Sequence, residues 1–287
     1  MSLPEWSLPA CPHIPSVLTI AGSDSSGGAG IQADIKTITA CGCFAQSAIA
    51  ALTAQNTLGV AQVVNIDPQA LVNQIMAVFD DIAPAAVKVG MLSTADNMRA
   101  TSRVLKELAQ QGRGPQYVVV DPVMVATSGA ALMDGDAAEA LEELMGQACV
   151  ITPNIPEAQV LCGMEIRTPQ EMEQAAVLLA KRTRSAVLLK GGHFWGDTCN
   201  DLLMEPDGSA QWFEGPRVKT ENTHGTGCTL SSALASGLAR GMDIPRAVRF
   251  AKDYVAGALA SGLDLGRGSG PVDHMWMYRK TNEAACQ

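Results

Sequence analysis

The stretch "NTHGTGCTLSSALASGL", from Asn222 to Leu238, sets small and flexible residues directly ahead of a segment with helical character. Free N–H groups at a helix start favour an anion, so Gly225, Thr226, Gly227 and Cys228 form a candidate phosphate cradle. The two glycines clear side chains from the approach. Cys228 brings a thiol to a place where phosphoryl transfer usually has a carboxylate base. No G-x-x-x-x-G-K-[ST] motif occurs, so the cradle role falls to this segment.

A second glycine-rich stretch, "GSDSSGGAGIQAD", runs from Gly22 to Asp34. Its Gly28-x-Gly30-x-x-Ala33 matches the dinucleotide fingerprint in letters only. Gly28 stands too far from the preceding strand, and no acidic residue ends a second strand about 20 positions on, so a nicotinamide site is not expected. The stretch reads instead as a loop whose glycines let backbone approach a small substrate, with Asp34 facing it from the first turns of a helix. "TPNIPEA" puts Asn154 and Glu157 together at a strand end. Glu157 suits either a helix N-terminus or, with Asn154, the hydrated Mg²⁺ that a nucleotide brings. Lys190, in "KGG", ends another strand, as a snorkelling surface lysine or a phosphate-facing one.

These residues need a frame. Apolar runs of strand length (17–22, 48–53, 85–92, 116–123, 149–154, 186–192) alternate with helix-period segments. Helices are expected at 29–42, 68–82, 94–112, 136–147, 156–163 and 168–182, the last with a Thr168/Glu171 capping box. A hairpin follows around Pro206-Asp207-Gly208, and two helices at 226–240 and 245–261 close the chain. Repeated βαβ units imply an α/β fold with a mainly parallel sheet covered on both faces. One domain over 15–275 is expected, between a Pro-rich tail at 1–14 and a C-terminal tail at 276–287. Ligands in such sheets sit beyond the carboxyl ends of the strands. Gly22, Gly90, Asp121, Asn154 and Gly191 all fall there, which points to one site.

Composition narrows the partners. The 287 residues carry a formal net charge of −9, which argues against a nucleic-acid footprint. Eight cysteines include no C-x-x-C pair and four histidines fall at no zinc spacing, so reduced thiols are expected. The start lacks the pattern of a signal peptide, and no apolar run is long enough to span a membrane. A soluble, cytoplasmic protein is the expectation.

Taken in order, "TIAGSDSSGGAGIQADIKT", "ALTAQNT", "KVGML", "DPVM", "TPNIPEA", "LLKGGH" and "NTHGTGCTLSSALA" resemble the hydroxymethylpyrimidine/phosphomethylpyrimidine kinases of thiamine biosynthesis. That family is a vitamin-kinase branch of the ribokinase-like superfamily, and the resemblance runs from Val17 to Pro271. It implies a three-layer α/β/α fold, ATP and Mg²⁺ as cofactors, and a homodimer. It also implies phosphorylation of 4-amino-5-hydroxymethyl-2-methylpyrimidine and then of its monophosphate. Gln55 would bond the aminopyrimidine edge and Asp34 the hydroxymethyl end, with Gly22, Ala29, Met91 and Val123 shaping the pocket. Residues Gly225 to Cys228 would form the anion hole, Glu157 would work with Mg²⁺, and Lys190 and Asp121 would lie near the phosphates. Most of the superfamily has aspartate at the position of Cys228. The thiol also resembles that of certain pyridoxal kinases, which carry a second cysteine after a "DPVM"-like strand where this chain has Val125-Ala126-Thr127. A pyridoxal kinase and a non-catalytic vitamin or nucleotide sensor are the alternatives.

Overall fold

Strands covered on both faces read as unbroken apolar runs, and their alternate residues must then enter different cores. The computed structural model, which describes residues 14–124, 136–192, 198–215 and 217–283, has this arrangement. Strands β1 (Ser16–Gly22), β4 (Ala86–Val89), β5 (Tyr117–Val120), β6 (Val150–Ile151) and β7 (Ala186–Leu189) lie parallel in the middle of the sheet. Leu18, Ile20, Val87, Val89, Val120 and Ile151 enter one core, under helices α2 (Pro68–Asp81), α3 (Ala95–Gln110), α4 (Ala137–Met145), α5 (Ile155–Cys162) and α6 (Pro169–Thr183). Val17, Ala86, Val119, Val150 and Leu188 enter the other, with α7 (Thr226–Ala239) and α8 (Ile244–Ala260). The result is the three-layer α/β/α fold expected from the sequence.

The sheet order is β3-β2-β1-β4-β5-β6-β7-β8-β9. Chain progress reverses at β1: helix α1 (Gly30–Ala40) leads outward to β2 (Phe44–Asn56), whereas α2 leads back to β4 on the other side. Such a switch point opens a crevice beyond the carboxyl ends of the strands. The hairpin at Pro206–Gly208 joins β8 (Asp201–Met204) to β9 (Ala210–Phe213), antiparallel as expected. The Thr168/Glu171 capping box starts α6, and Gly112, with φ 68°, follows α3.

Two elements exceed the sequence reading. Strand β3 (Gly59–Asn65) pairs antiparallel with β2 and forms the sheet edge. Its side chains are half-buried or exposed, so no apolar run announces it. Helix α9 (Trp276–Glu283) lies in the segment read as a tail. Its Trp276 ring sits 6.4 Å from that of Tyr254, and the Tyr278 hydroxyl donates to the Ala40 carbonyl at 3.0 Å. No described helix is long and apolar enough to cross a membrane. The proline-rich start through residue 13 and Val125-Ala126-Thr127 lie outside the described residues.

Candidate active site

The crevice is built first from backbone. At the end of β1, the Gly22 N–H donates to Met91 O at 2.9 Å and the Ser23 N–H to Ala51 O at 2.8 Å. The glycine-rich loop then folds around one buried carboxylate, Asp24. It accepts from the N–H groups of Ser26 (2.9 Å), Gly28 (3.1 Å) and Ala29 (2.8 Å), and its Oδ2 stands 2.8 Å from His224 Nε2. Burial alone would raise its pKa. The histidine and the loop donors outweigh burial and hold it well below the usual carboxylate range. Asp24 thereby joins this loop to the one before α7.

Helix α7 begins at Thr226 behind an N-cap, Gly225, that has φ 81° and supplies no side-chain cap. A side chain at Gly225 would run into the Gly28 carbonyl oxygen, so the two loops touch backbone to backbone. The N–H and hydroxyl of Thr226 both donate to Thr223 O, at 3.2 and 2.6 Å, so this residue closes the turn. The first backbone bond returning from the helix is Thr229 N–H to Gly225 O, at 2.9 Å. The amides of Gly227 and Cys228 precede it and have no partner within the helix.

Across from these amides stand the ends of β5 to β7. Lys190 Nζ lies 3.0 Å from Asp121 Oδ1, which also accepts the Thr152 hydroxyl at 2.9 Å. Burial opposes the charge on Lys190, but Asp121 and Glu157 outweigh it and raise its pKa. Asn154 and Glu157 form a complete capping box at the start of α5, each bond 2.8 Å long. The helix-start reading of Glu157 is therefore satisfied through Oε2. Burial, with Asp121 nearby, pushes its carboxyl up to about 7 against the pull of Lys190. Glu157 and Asp121 present oxygens suited to a nucleotide-borne, hydrated Mg²⁺. Among the described residues no group of three or more His, Cys, Asp or Glu could hold a metal without a nucleotide.

Cys228 is not an activated thiol. Burial pushes it up to about 11; the Lys88 ammonium pulls the other way, while the charges of Asp34 and Asp121 add to the rise. At neutral pH it is an S–H group, so here desolvation exceeds the effect of the helix N-terminus.

The cleft brings together Gly22, Ala29, Gln55, Met91, Asp121, Val123, Asn154, Glu157, Lys190 and the Gly225–Cys228 run. Gly90 and Gly191, expected at the same strand ends, are not among its lining residues. Of the residues assigned a role, Asp34 is the one that does not line it. Fully buried, Asp34 is ion-paired to Lys88 at 2.8 and 3.0 Å and accepts the hydroxyls of Thr19 (2.6 Å) and Ser232 (2.8 Å). It faces away from the crevice because a buried lysine claims it. Sequence reasoning missed Lys88, although a lysine inside the apolar run "AVKV" already demands a buried acidic partner. It also missed Asp24, Thr53 and His224, which line the cleft.

Gly227 does not need left-handed backbone; only Gly225 of the pair has positive φ. A Cβ there would lie 3.4 Å from Asp121 Oδ2 and 3.6 Å from Lys190 Nζ, ordinary contacts. Gly227→Ala should therefore leave thermal stability equal or raise it by up to ~1 kcal/mol. Its methyl group would stand between the free amides and Lys190, so turnover should fall about tenfold or more, approaching the loss of one anion-hole donor. Full activity with unchanged melting would remove this loop from the site.

A three-layer α/β/α fold with a switch-point crevice, a left-handed glycine turn and an uncapped helix start facing a lysine defines the ribokinase-like class of small-molecule kinases. Residues 24–273 match the family model described as phosphomethylpyrimidine kinase, and the chain belongs to that family. A hydroxymethylpyrimidine/phosphomethylpyrimidine kinase of Rhizobium meliloti is 44% identical over 267 residues, covering 92% of this chain and 98% of the relative. A thiamine biosynthesis multifunctional protein of Corynebacterium efficiens is 46% identical over 277 residues, which are 94% of this chain. The matched part is only 36% of that longer relative, and 52% of a bifunctional one from Geobacter sulfurreducens. The pyridoxal kinase of Staphylococcus aureus, solved with AMP-PCP and pyridoxal, superposes with a TM-score of 0.82 at 31% identity, covering 93% and 96% of the two chains.

Proposed function

We propose that this chain transfers the γ-phosphoryl group of ATP to the hydroxymethyl oxygen of 4-amino-5-hydroxymethyl-2-methylpyrimidine. A second turnover at the same site then phosphorylates the monophosphate to the diphosphate. The observation that carries the reading is one crevice holding a polar ring-reading side chain, Gln55, and an anion cradle, Gly227–Cys228 with Lys190 opposite. The kinase name of a relative matched over 98% of its length supports it, and an ATP analogue bound to the Staphylococcus aureus neighbour supports ATP as donor.

In this mechanism Gln55 offers a donor and an acceptor to the pyrimidine edge. Met91, Val123 and Ala29 enclose the ring, and the Gly227 and Cys228 amides meet charge developing on the transferring phosphoryl oxygens. Lys190 balances the same charge from the other side. Mg²⁺ carried by the nucleotide would neutralise phosphate charge beside Glu157. The chain's own part is position and electrostatics, which supply most phosphoryl-transfer catalysis. A cytoplasmic homodimer belongs to the same reading. The exposed Leu52 and Val64, cross-strand partners on one face of β2–β3, support a second copy there, and sedimentation would read it.

Glu157→Gln separates two roles. The amide oxygen can still accept the Asn154 N–H, so α5 should keep its cap and its stability. The carboxyl sits at about 7, and a bound Mg²⁺ would favour its ionised form. Losing that form should raise the KM for Mg-ATP about threefold to tenfold, with the KM for the pyrimidine little changed. An unchanged nucleotide KM would leave Glu157 as a cap only.

The whole reading is tested by measuring ATP consumption with hydroxymethylpyrimidine, its phosphate and pyridoxal side by side. Preference for pyridoxal would move the assignment to the neighbouring kinase activity. Binding without turnover would make the chain a sensor.

A further inference from the structure

Gln55 is held more tightly than a pocket residue needs to be. Its main chain is clamped by Ser25, whose hydroxyl donates to Gln55 O at 2.7 Å and accepts the Gln55 N–H at 2.8 Å. The two ends of its side-chain amide lie against Thr53 Oγ1, at 3.1 Å, and His224 Nε2, at 3.4 Å. The two ends of an amide have the same shape, so their partners decide which is oxygen and which is nitrogen.

Both partners give the same answer. The single proton of the Thr53 hydroxyl is committed to Ser23 O, 2.7 Å away, so Oγ1 presents only lone pairs to Gln55. His224 Nε2 lies 2.8 Å from Oδ2 of Asp24, an ionised carboxylate, so this nitrogen carries a hydrogen and has no lone pair to offer. Oxygen toward Thr53 and nitrogen toward His224 would set acceptor against acceptor and donor against donor. The reverse orientation satisfies both: NH₂ donates to Thr53 Oγ1 and Oε1 faces the His224 N–H. Each end then keeps one unused function, a donor on the Thr53 side and an acceptor on the His224 side.

We propose that Thr53 and the Asp24–His224 pair lock the Gln55 amide in this single orientation and so set the ring chemistry that the cleft selects. The proposal rests on the reading that Gln55 meets the pyrimidine. A 4-aminopyrimidine offers a ring-nitrogen acceptor beside an amino donor, which complements the locked amide. Its 4-oxo counterpart offers a ring N–H donor beside an oxygen acceptor. To bind it, the amide would have to turn over and lose both partners. Thr53 and His224 are thus specificity-determining residues acting through Gln55, and neither need touch the substrate.

The test compares kcat/KM for 4-amino-5-hydroxymethyl-2-methylpyrimidine and its 4-oxo analogue in the intact chain and three variants. The intact chain should prefer the amino substrate strongly. Thr53→Val keeps the shape but removes the acceptor that holds the NH₂ group. The amino-to-oxo ratio should then shrink at least ~10-fold, by loss on one substrate and gain on the other. Thr53→Ser should keep the ratio. A Thr53→Val variant that slows both substrates alike, or changes neither, overturns the lock. Gln55→Leu reports separately on the underlying reading: if it leaves the preference intact, Gln55 does not meet the ring at all. A neutron structure of the deuterium-exchanged protein needs no substitution. Deuterons on the Gln55 nitrogen facing Thr53 support the lock, and deuterons facing His224 overturn it.

Discussion

Lys88→Met should destabilise the folded chain by about 3–5 kcal/mol, and adding Asp34→Leu should recover most of that loss. The pair is fully shielded from solvent, so neither charge can fall back on water when its partner is removed. The native state meets the cost of burial with geometry. Both carboxylate oxygens of Asp34 accept from Lys88 Nζ, at 3.0 and 2.8 Å, and the Thr19 and Ser232 hydroxyls fill the remaining lone pairs. Burial would lower the pKa of Lys88, but Asp34 beside it prevails and raises it, so the lysine stays charged. These four side chains come from β1, α1, β4 and α7. They therefore tie together the helices that follow the glycine-rich loop and the anion cradle. Methionine matches the stem of lysine and leaves Asp34 as an unpaired buried charge. The double variant removes both charges, and apolar replacements of buried ion pairs are often neutral. Urea unfolding of the three variants reads the coupling directly. A single-variant loss below ~1 kcal/mol would mean that the site relaxes or admits water, and that the pair is not the fastening described here.

The contrast between Asp34 and Asp121 explains how far the sequence can be read. Asp121 ends an unmistakable apolar strand, and β-strand topology alone carries it to the crevice. Gly22, Asn154 and Lys190 follow by the same argument. Asp34 lies on a helix, where one turn in either direction changes its surroundings, and its fate was decided by a lysine 54 positions away. Local pattern does not contain that distance. Similarly, Gly225 and Gly227 look alike as letters, yet only the first has positive φ, because Gly28 O lies against it. Strand β3 and helix α9 escaped for a different reason. Both are peripheral, with too few buried side chains to leave a periodic signal. The capping box at Asn154–Glu157 shows the limit from the other side. Its spacing was visible, but spacing could not say whether the carboxylate served the helix, a cation or both.

Cys228→Ala should slow phosphorylation of the hydroxymethylpyrimidine by about 10²-fold, while phosphorylation of the monophosphate changes only a few-fold. The two nucleophiles differ in one proton. The first is an alcohol, which must lose its proton during transfer. The second is a phosphate monoester, largely dianionic at neutral pH, with nothing to give up. Burial holds the thiol at about 11, so it rests as S–H with only a small thiolate fraction at neutral pH. The S–H form has no free site for the alcohol proton, so the first step draws on that small thiolate fraction. The thiolate is a strong base, takes the alcohol proton late in the transfer and returns to S–H as the O–P bond forms. A loose transition state asks for little more. The neutrality itself has a use. Asp34 and Asp121 already make a negative charge at this sulfur unfavourable, and an incoming phosphomonoester would add to that field. Aspartate at the position would supply a better base for the alcohol and a fixed repulsion for the phosphate. Cys228→Asp should accordingly keep the first step and impair the second, the inverse of Cys228→Ala. Single-turnover rates with each substrate at saturating Mg-ATP separate the two steps from binding and release. Equal slowing of both steps in Cys228→Ala would show that the thiol shapes the cradle rather than accepting the alcohol proton. The cysteine would then need a structural explanation instead.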